Sequence, residues 1–387
     1  MKRIYLDYAA STPVDEEVLK AMLPYFSETY GNPSSVHAFG QDAQSAVDTA
    51  RAKTAAALGC LSQEIIFTGS ATEANNLALI GVAEEALKKR KNIHIISSRV
   101  EHESVLEPLS YLEKERGASV TYLPVTSGGF VRPEDVQNAL REDTALVSIM
   151  YANNEVGTIQ PIAEIANVIR AHNKKFRVFF HTDAAQAASY LPLAVAQLGV
   201  DLMTLSGHKM YGPKGVGALY IKKGTPVAPL VHGGGQEYGK RSGTENVPAV
   251  VGFAAALERA VAHREEAAGQ AEALRNYFIA QITARIPDTR LNGSRENRLP
   301  NNANILFPGA NAAELIVALD MEGIAVSAGS ACQSKALAES HVLSAIGLSK
   351  KDAKSSLRFS FGNYTTKEDL DAVLDILVKL EKKFRVK

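Results

Sequence analysis

Between about residues 64 and 221, short β-rich runs alternate with helical stretches, and no other feature limits the fold of this chain so tightly. The runs are Glu64–Thr68, Ile93–Ser97, Val120–Val125, Leu146–Met150, Val178–Thr182, Leu202–Leu205 and Gly217–Ile221. Segments with helical spacing separate most of them: Ala74–Lys89, Ser104–Glu115, Pro133–Leu140 and Ile162–His172. Parallel strands need long crossovers, and helices are the usual ones. The pattern therefore predicts an α/β fold with a mostly parallel seven-stranded sheet covered by helices. Ligands of such sheets sit outside the carboxyl ends of the strands. Ser70, His102, Asn154, Asp183 and Lys209 all fall at or just past those ends.

Beyond the last run the pattern changes. A long helical stretch near Ala249–Ile282 leads to Pro287, an Asn292-Gly293-Ser294 turn and Pro300. Then come a strand-like Asn304–Phe307, a helix near Ala312–Glu322, a Gly/Ser/Ala-rich loop, a strand-like Ser356–Phe361 and a helix Lys367–Lys383. This reads as a smaller α+β domain made of residues 1–13 and 258–387, beside a large domain of residues 14–257.

Lys+Arg and Asp+Glu both total 42, so no global field draws nucleic acid or an anionic membrane, and any anion site must be local. The basic run Lys88-Lys89-Arg90-Lys91 follows a helical stretch and suits a helix C-terminus. The two cysteines, Cys60 and Cys332, stand far apart in no Cys-x-x-Cys pair; neither a disulfide framework nor a metal site is expected. An acid at Asp7 precedes any apolar stretch long enough for a signal peptide, and no run of apolar residues suits a membrane span. A cytoplasmic protein is the expectation.

Lys209 is the residue richest in chemical meaning. It sits in Ser206-Gly207-His208-Lys209 just past one predicted strand, while Asp183 ends the neighbouring run and Gln186 follows it. That is the arrangement a pyridoxal phosphate site needs: an amine to condense with the aldehyde, and an acid to keep the pyridine nitrogen protonated. Taken singly, the first is an ordinary turn and the second a helix cap; their conjunction favours the cofactor. Thr68-Gly69-Ser70-Ala71-Thr72-Glu73 runs from a strand end into a helix and is the best phosphate cradle in the chain. His102, in Glu101-His102-Glu103, is placed to stack on a pyridine ring and move protons. The amides of Asn153-Asn154-Glu155 are placed to reach the cofactor's phenolic oxygen or a substrate carboxylate. Cys332 lies among small polar residues, a composition suited to an accessible nucleophile on a mobile loop spanning Ser327–Glu339, whereas Cys60 at a helix end suits packing. Arg358 puts a guanidinium inside an apolar strand, where its fork wants a carboxylate, structural or a substrate's. Gly234, Gly239 and Lys240 imitate a Walker A pattern but lead into Arg241, and His232-Gly233-Gly234-Gly235 has no nucleophile elbow to serve.

Together these segments resemble the cysteine desulfurases, pyridoxal phosphate enzymes of fold type I related to class V aminotransferases. The resemblance runs through Tyr5–Pro13, Gly31–His37, Ala71–Asn76, Glu101–Glu103, Asn153–Gly157, Asp183–Gln186, Ser206–Lys209, Arg241–Thr244 and Gly329–Cys332. The last of these, with Ser340-His341-Val342-Leu343 after it, looks like the long-loop group that serves iron–sulfur cluster assembly or thiolation. The resemblance implies that Lys209 holds the cofactor, Asp183 pairs with its ring nitrogen, and His102 stacks on it. Gln186 and Asn154 would contact the phenolic oxygen or substrate, and Thr72, Ser206 and His208 the phosphate, with Ala71 also in the cofactor set. Arg358 would clamp the carboxylate of L-cysteine, with Asn154 and Asn32 also on the substrate, and Cys332 would take its sulfur. Thr244 would reach the phosphate of a neighbouring subunit, which implies a homodimer. The implied partner is a sulfur-acceptor protein, either an iron–sulfur scaffold or a tRNA-thiolating enzyme. Competing readings are an aminotransferase or selenocysteine lyase on the same scaffold, and a non-catalytic scaffold, which would be expected to lack Lys209 or Asp183.

Overall fold

The computed structural model describes residues 3–172, 176–328 and 340–384. Its main sheet has seven strands, in the spatial order Ile65–Thr68, Gly217–Ile221, Leu202–Ser206, Phe179–Asp183, Thr144–Ser148, His94–Ser98, Ser119–Leu123. Gly217–Ile221 runs antiparallel to both neighbours; the pairings from Leu202–Ser206 onward are parallel. These are the seven runs expected from the sequence.

Most of these strands are buried on both faces, which is why they read as continuous apolar runs. Successive residues go to opposite sides, as the two-residue period of a strand demands. Ile66, Ile95, Leu146, Leu202 and Leu219 pack with helices Ala71–Leu87 and Glu103–Arg116. Their neighbours Phe67, Ile96, Val147, Met203 and Ala218 pack with helices Ala38–Leu58, Ile162–Ala171 and Val247–Ala262.

A second, antiparallel sheet has the order Ser356–Ser360, Asn302–Leu306, Arg290–Leu291. Its apolar cluster joins Leu6, Phe278, Ile305, Phe359 and Leu374. The strand Ile4–Tyr5 pairs in parallel with Ile324–Ala325, bringing the start of the chain to this sheet's side. The predicted helical stretch Ala249–Ile282 is two helices, Val247–Ala262 and Arg264–Arg285, broken at His263. Neither glycine nor proline marks the break. Its cause is tertiary: Leu257 packs in the large sheet's cluster while Phe278 and Ile282 pack in the small one's.

Candidate active site

One cavity of about 270 Å³ opens at the carboxyl ends of the main sheet, lined in part by Ser70, Ala71, Thr72, His102, Asn154, Asp183, Gln186, Ser206, His208, Lys209 and Arg358. The cavity brings together most of the residues singled out from the sequence, because the parallel strands deliver their following turns to the same edge.

The turn Gly69–Thr72 enters the helix Ala71–Leu87 with Ser70 as its cap, Oγ accepting from Glu73 N at 3.1 Å. Glu73 ties the turn together, its Oε2 accepting from Gly69 N at 2.8 Å and its Oε1 paired with Arg241 Nε at 2.8 Å. The turn also lies hard against the reversed strand. A Cβ on Gly217 would stand 2.6 Å from Ser70 C and 2.8 Å from Ala71 N. Only glycine lets the backbones approach that closely.

Asp183 is buried at its strand end, with Oδ1 accepting from Ala185 N at 2.9 Å and Oδ2 from Asn75 Nδ2 at 2.7 Å. Lys209 ends a single 3₁₀ turn, Gly207–Lys209, and its Nζ donates to the carbonyls of Ala9 at 2.5 Å and Ala10 at 2.8 Å. Gln186 Nε2 donates to the same Ala9 carbonyl at 2.9 Å. The chain's first dozen residues thus close one side of the cavity. Burial, then the charges of Lys209 and Lys214, hold the His208 imidazole down at about 4. Glu101, fully buried beside the cavity, is pushed up to about 8 by burial, against the hydrogen bonds it accepts from Ser98 Oγ and Met150 N.

Arg358 is 1 % exposed and already engaged: Nη2 pairs with Asp7 Oδ1 at 2.7 Å and Nη1 donates to Asn154 O at 3.0 Å. Its buried Nε has no hydrogen-bond partner among the described residues. The carboxylate sought for this fork is therefore at least partly structural. Asn154 also enters the network through its carbonyl, and the turn that carries it is pinned by Asn302 and Asn304 donating to Glu155 O at 3.3 and 3.1 Å. Asn32 and Thr244 are exposed, and neither lines this cavity. Cys332 and most of the loop Ser327–Glu339 lie outside the described residues. Of that loop, Ser327 exchanges backbone hydrogen bonds with Arg358 at 3.2 and 2.7 Å. Cys60 is half-buried against the large core, its thiol pushed up to about 12 by burial and then by Glu64, which leaves it protonated and inert.

Sequence reasoning assigned no role to Asn75, Ser104, Glu101, Glu155 or Asp7. Asn75 had a signal: an amide in a helix whose other buried positions are apolar or small, among them Ala74, Leu77 and Ala78. Asp7 had none, since its partner is 351 residues away.

The Aminotransferase class-V profile matches residues 4–373. A cysteine desulfurase IscS of Dictyoglomus turgidum is 51% identical over 386 residues, covering 100% of this chain and 96% of that protein. The chain belongs to the cysteine desulfurases. A solved NifS-like protein superposes with a TM-score of 0.92 at 40% identity, over 99% of this chain and 100% of its own. SspA, solved in complex with cysteine, does so with a TM-score of 0.81 at 38% identity, over 94% and 100%. The cysteine desulfurases are pyridoxal phosphate enzymes, and the cavity suits that group. An amine, a buried carboxylate with a fixed orientation, and a helix N-terminus face one space, matching the aldehyde, ring nitrogen and phosphate.

Proposed function

We propose that this chain removes sulfur from L-cysteine, releasing L-alanine and leaving a persulfide on Cys332. Carrying the reading is the convergence of Lys209, Asp183 and the Ser70–Thr72 turn on one cavity in a chain of this family. Bound there, pyridoxal phosphate supplies an electron sink that acidifies the substrate's α-carbon. Lys209 is the amine that anchors the cofactor, Asp183 holds the ring-nitrogen proton, and Ala71, Thr72, Ser206 and His208 take the phosphate. Gln186 and Asn154 orient the phenolic oxygen and the substrate. Arg358 meets the substrate carboxylate, its unpartnered Nε supporting that role, and Asn32 joins the substrate side. The Cys332 thiolate attacks the substrate sulfur: an S–S bond forms, the C–S bond breaks, and the carbon left behind takes up a proton to become alanine's methyl group.

The persulfide passes to a protein acceptor, an iron–sulfur scaffold or a tRNA-thiolating enzyme; the zero formal net charge argues against direct nucleic-acid contact. Among the described residues no helix is long and apolar enough to cross a membrane, and we place the protein in the cytoplasm. A homodimer is the working assembly, with Thr244 reaching the partner's phosphate. The exposure of Thr244 and the tie from nearby Arg241 to Glu73 support this. The division into a large domain, 14–257, and a small one, 1–13 with 258–387, is supported by the segregation of the apolar clusters.

Borohydride reduction of protein loaded with pyridoxal phosphate tests the cofactor assignment. A phosphopyridoxyl group mapped to Lys209 is expected; a label elsewhere, or protein that takes up no cofactor, overturns it. Light scattering of the purified protein tests the dimer.

A further inference from the structure

Asn75 is fully buried and spends both amide hydrogens on the site, donating to Asp183 Oδ2 at 2.7 Å and to Ser104 Oγ at 2.8 Å. The orientation is fixed by charge, because a carboxylate oxygen accepts and would repel the amide's own oxygen. Ser104 Oγ in turn lies 2.8 Å from His102 Nδ1. Having accepted from Asn75, the hydroxyl has its hydrogen to give to that nitrogen. A second donor settles the direction. The Ser104 backbone N–H, which only donates, points at the same Nδ1 from 3.1 Å. A ring nitrogen that accepts a backbone N–H carries no proton of its own.

We infer that Asn75 and Ser104 are positioning residues that join Asp183 to His102 and lock the neutral His102 ring with its proton on Nε2. The inference rests on the desulfurase reading for its meaning, but not for its geometry. The two catalytic groups expected to hold the cofactor ring, one at its nitrogen and one on its face, are set by one amide on one helix. The locked tautomer also decides what His102 offers the cavity. Its Nδ1 lone pair is spent on Ser104, so the opposite edge of the ring presents an N–H. His102 then meets a substrate thiolate or carboxylate as a hydrogen-bond donor. It cannot withdraw a proton at Nε2 while Ser104 holds Nδ1. Stacking on the ring is compatible with this tautomer, whereas moving a proton out through Nε2 requires Nδ1 to take one up from the Ser104 side.

The test reads the ring directly, in the full-length protein without cofactor. Histidine-selective ¹⁵N labelling, with His102 identified by the signal lost in His102→Gln, gives the tautomer from long-range ¹H–¹⁵N correlations at roughly pH 8.5, about two units above the ordinary imidazole value. The expected pattern is a protonated Nε2 and a bare Nδ1. Ser104→Ala removes the hydroxyl but keeps the backbone N–H on Nδ1, so it should raise the Nδ1–H population only in part, and Ser104→Thr should restore the original pattern. Asn75→Ala should lower pyridoxal phosphate affinity by about tenfold, the loss of one charge-assisted hydrogen bond. A wild-type ring protonated at Nδ1 overturns the inferred tautomer, and a Ser104→Ala variant with no gain at all of the Nδ1–H form overturns the role given to the Ser104 hydroxyl. Because the tautomer is read without cofactor, its failure is distinct from failure of the Lys209 labelling experiment.

Discussion

Removing the Asp7 carboxylate should destabilise the far end of the chain, and the size of the effect follows from the burial of its partner. Arg358 is 1 % exposed and Asp7 18 %, with 2.7 Å between Nη2 and Oδ1. The backbone around Asp7 does not depend on that side chain: Leu6 N donates to Ala325 O at 2.9 Å and Ser360 N to Leu6 O at 2.8 Å. Asp7→Ala therefore leaves the chain in register and the guanidinium without its counter-charge. Removing one member of a buried pair costs about 3–5 kcal/mol. Partial exposure of Asp7 lets water reach the vacated side, so about 2–3 kcal/mol is the expected loss. Replacing both partners, with Arg358→Met, should recover much of it, because no unpaired charge remains. Hydrogen exchange of the Ser356–Ser360 strand measures the local free energy without assuming a two-state protein. An Asp7→Ala loss below about 0.5 kcal/mol, or a double variant no more stable than Asp7→Ala, would refute the reasoning, since surface changes ordinarily stay within that range. The same variant frees Nη2, so KM for L-cysteine should change more than kcat if Arg358 meets the substrate carboxylate.

Other consequences follow from single residues. Glu101 keeps its proton up to about 8 when folded but loses it in the ordinary carboxylate range when unfolded. The native state therefore binds the extra proton, and stability should fall as pH rises from about 5 toward about 8 by up to about 1.4 kcal/mol per unit. Glu101→Gln should flatten that slope in thermal unfolding of the apoprotein; an unchanged slope counts against the assignment. Gly217→Ala should displace the Ser70–Ala71 turn at a cost of about 1–3 kcal/mol and, if that turn holds the cofactor's phosphate, weaken cofactor binding in a fluorescence titration. Gly269→Ala, inside the helix Arg264–Arg285 with nothing within 4 Å of the added Cβ, should instead stabilise by about 0.5–1 kcal/mol. Cys60→Ala should leave alanine formation unchanged, because that thiol is packed and protonated.

The main sheet was legible because strands buried on both faces must be apolar throughout, and the turns between them are polar. The candidate site was legible for the same topological reason: Asp183 ends one strand and Lys209 lies one turn past the end of its parallel neighbour, so reading the strands brings the two residues to one edge. Of the helix Ala38–Leu58 only the end near Cys60 was read, because its buried stripe is rich in alanine, with Ala43, Ala46 and Ala50 giving little hydrophobic contrast. The break at His263 was invisible because it depends on which core each helix joins. Arg358 announced its need for a carboxylate, but choosing Asp7 takes the fold, since the pairing of Ile4–Tyr5 with Ile324–Ala325 and the bridge from Asp7 to Ser360 bring the two ends together. Asn75 was quoted for its place in a motif, and its double donation emerged only from the relative placement of Asp183 and Ser104.

The most direct test of the account is a single turnover with ³⁴S-labelled L-cysteine in the absence of reductant, followed by peptide mass spectrometry and quantitation of alanine. The account predicts heavy sulfur on Cys332 in one-to-one ratio with alanine, and neither product from Lys209→Ala or label from Cys332→Ala. Alanine formed at the wild-type rate by Cys332→Ala, or heavy sulfur carried on Cys60 instead, would contradict it.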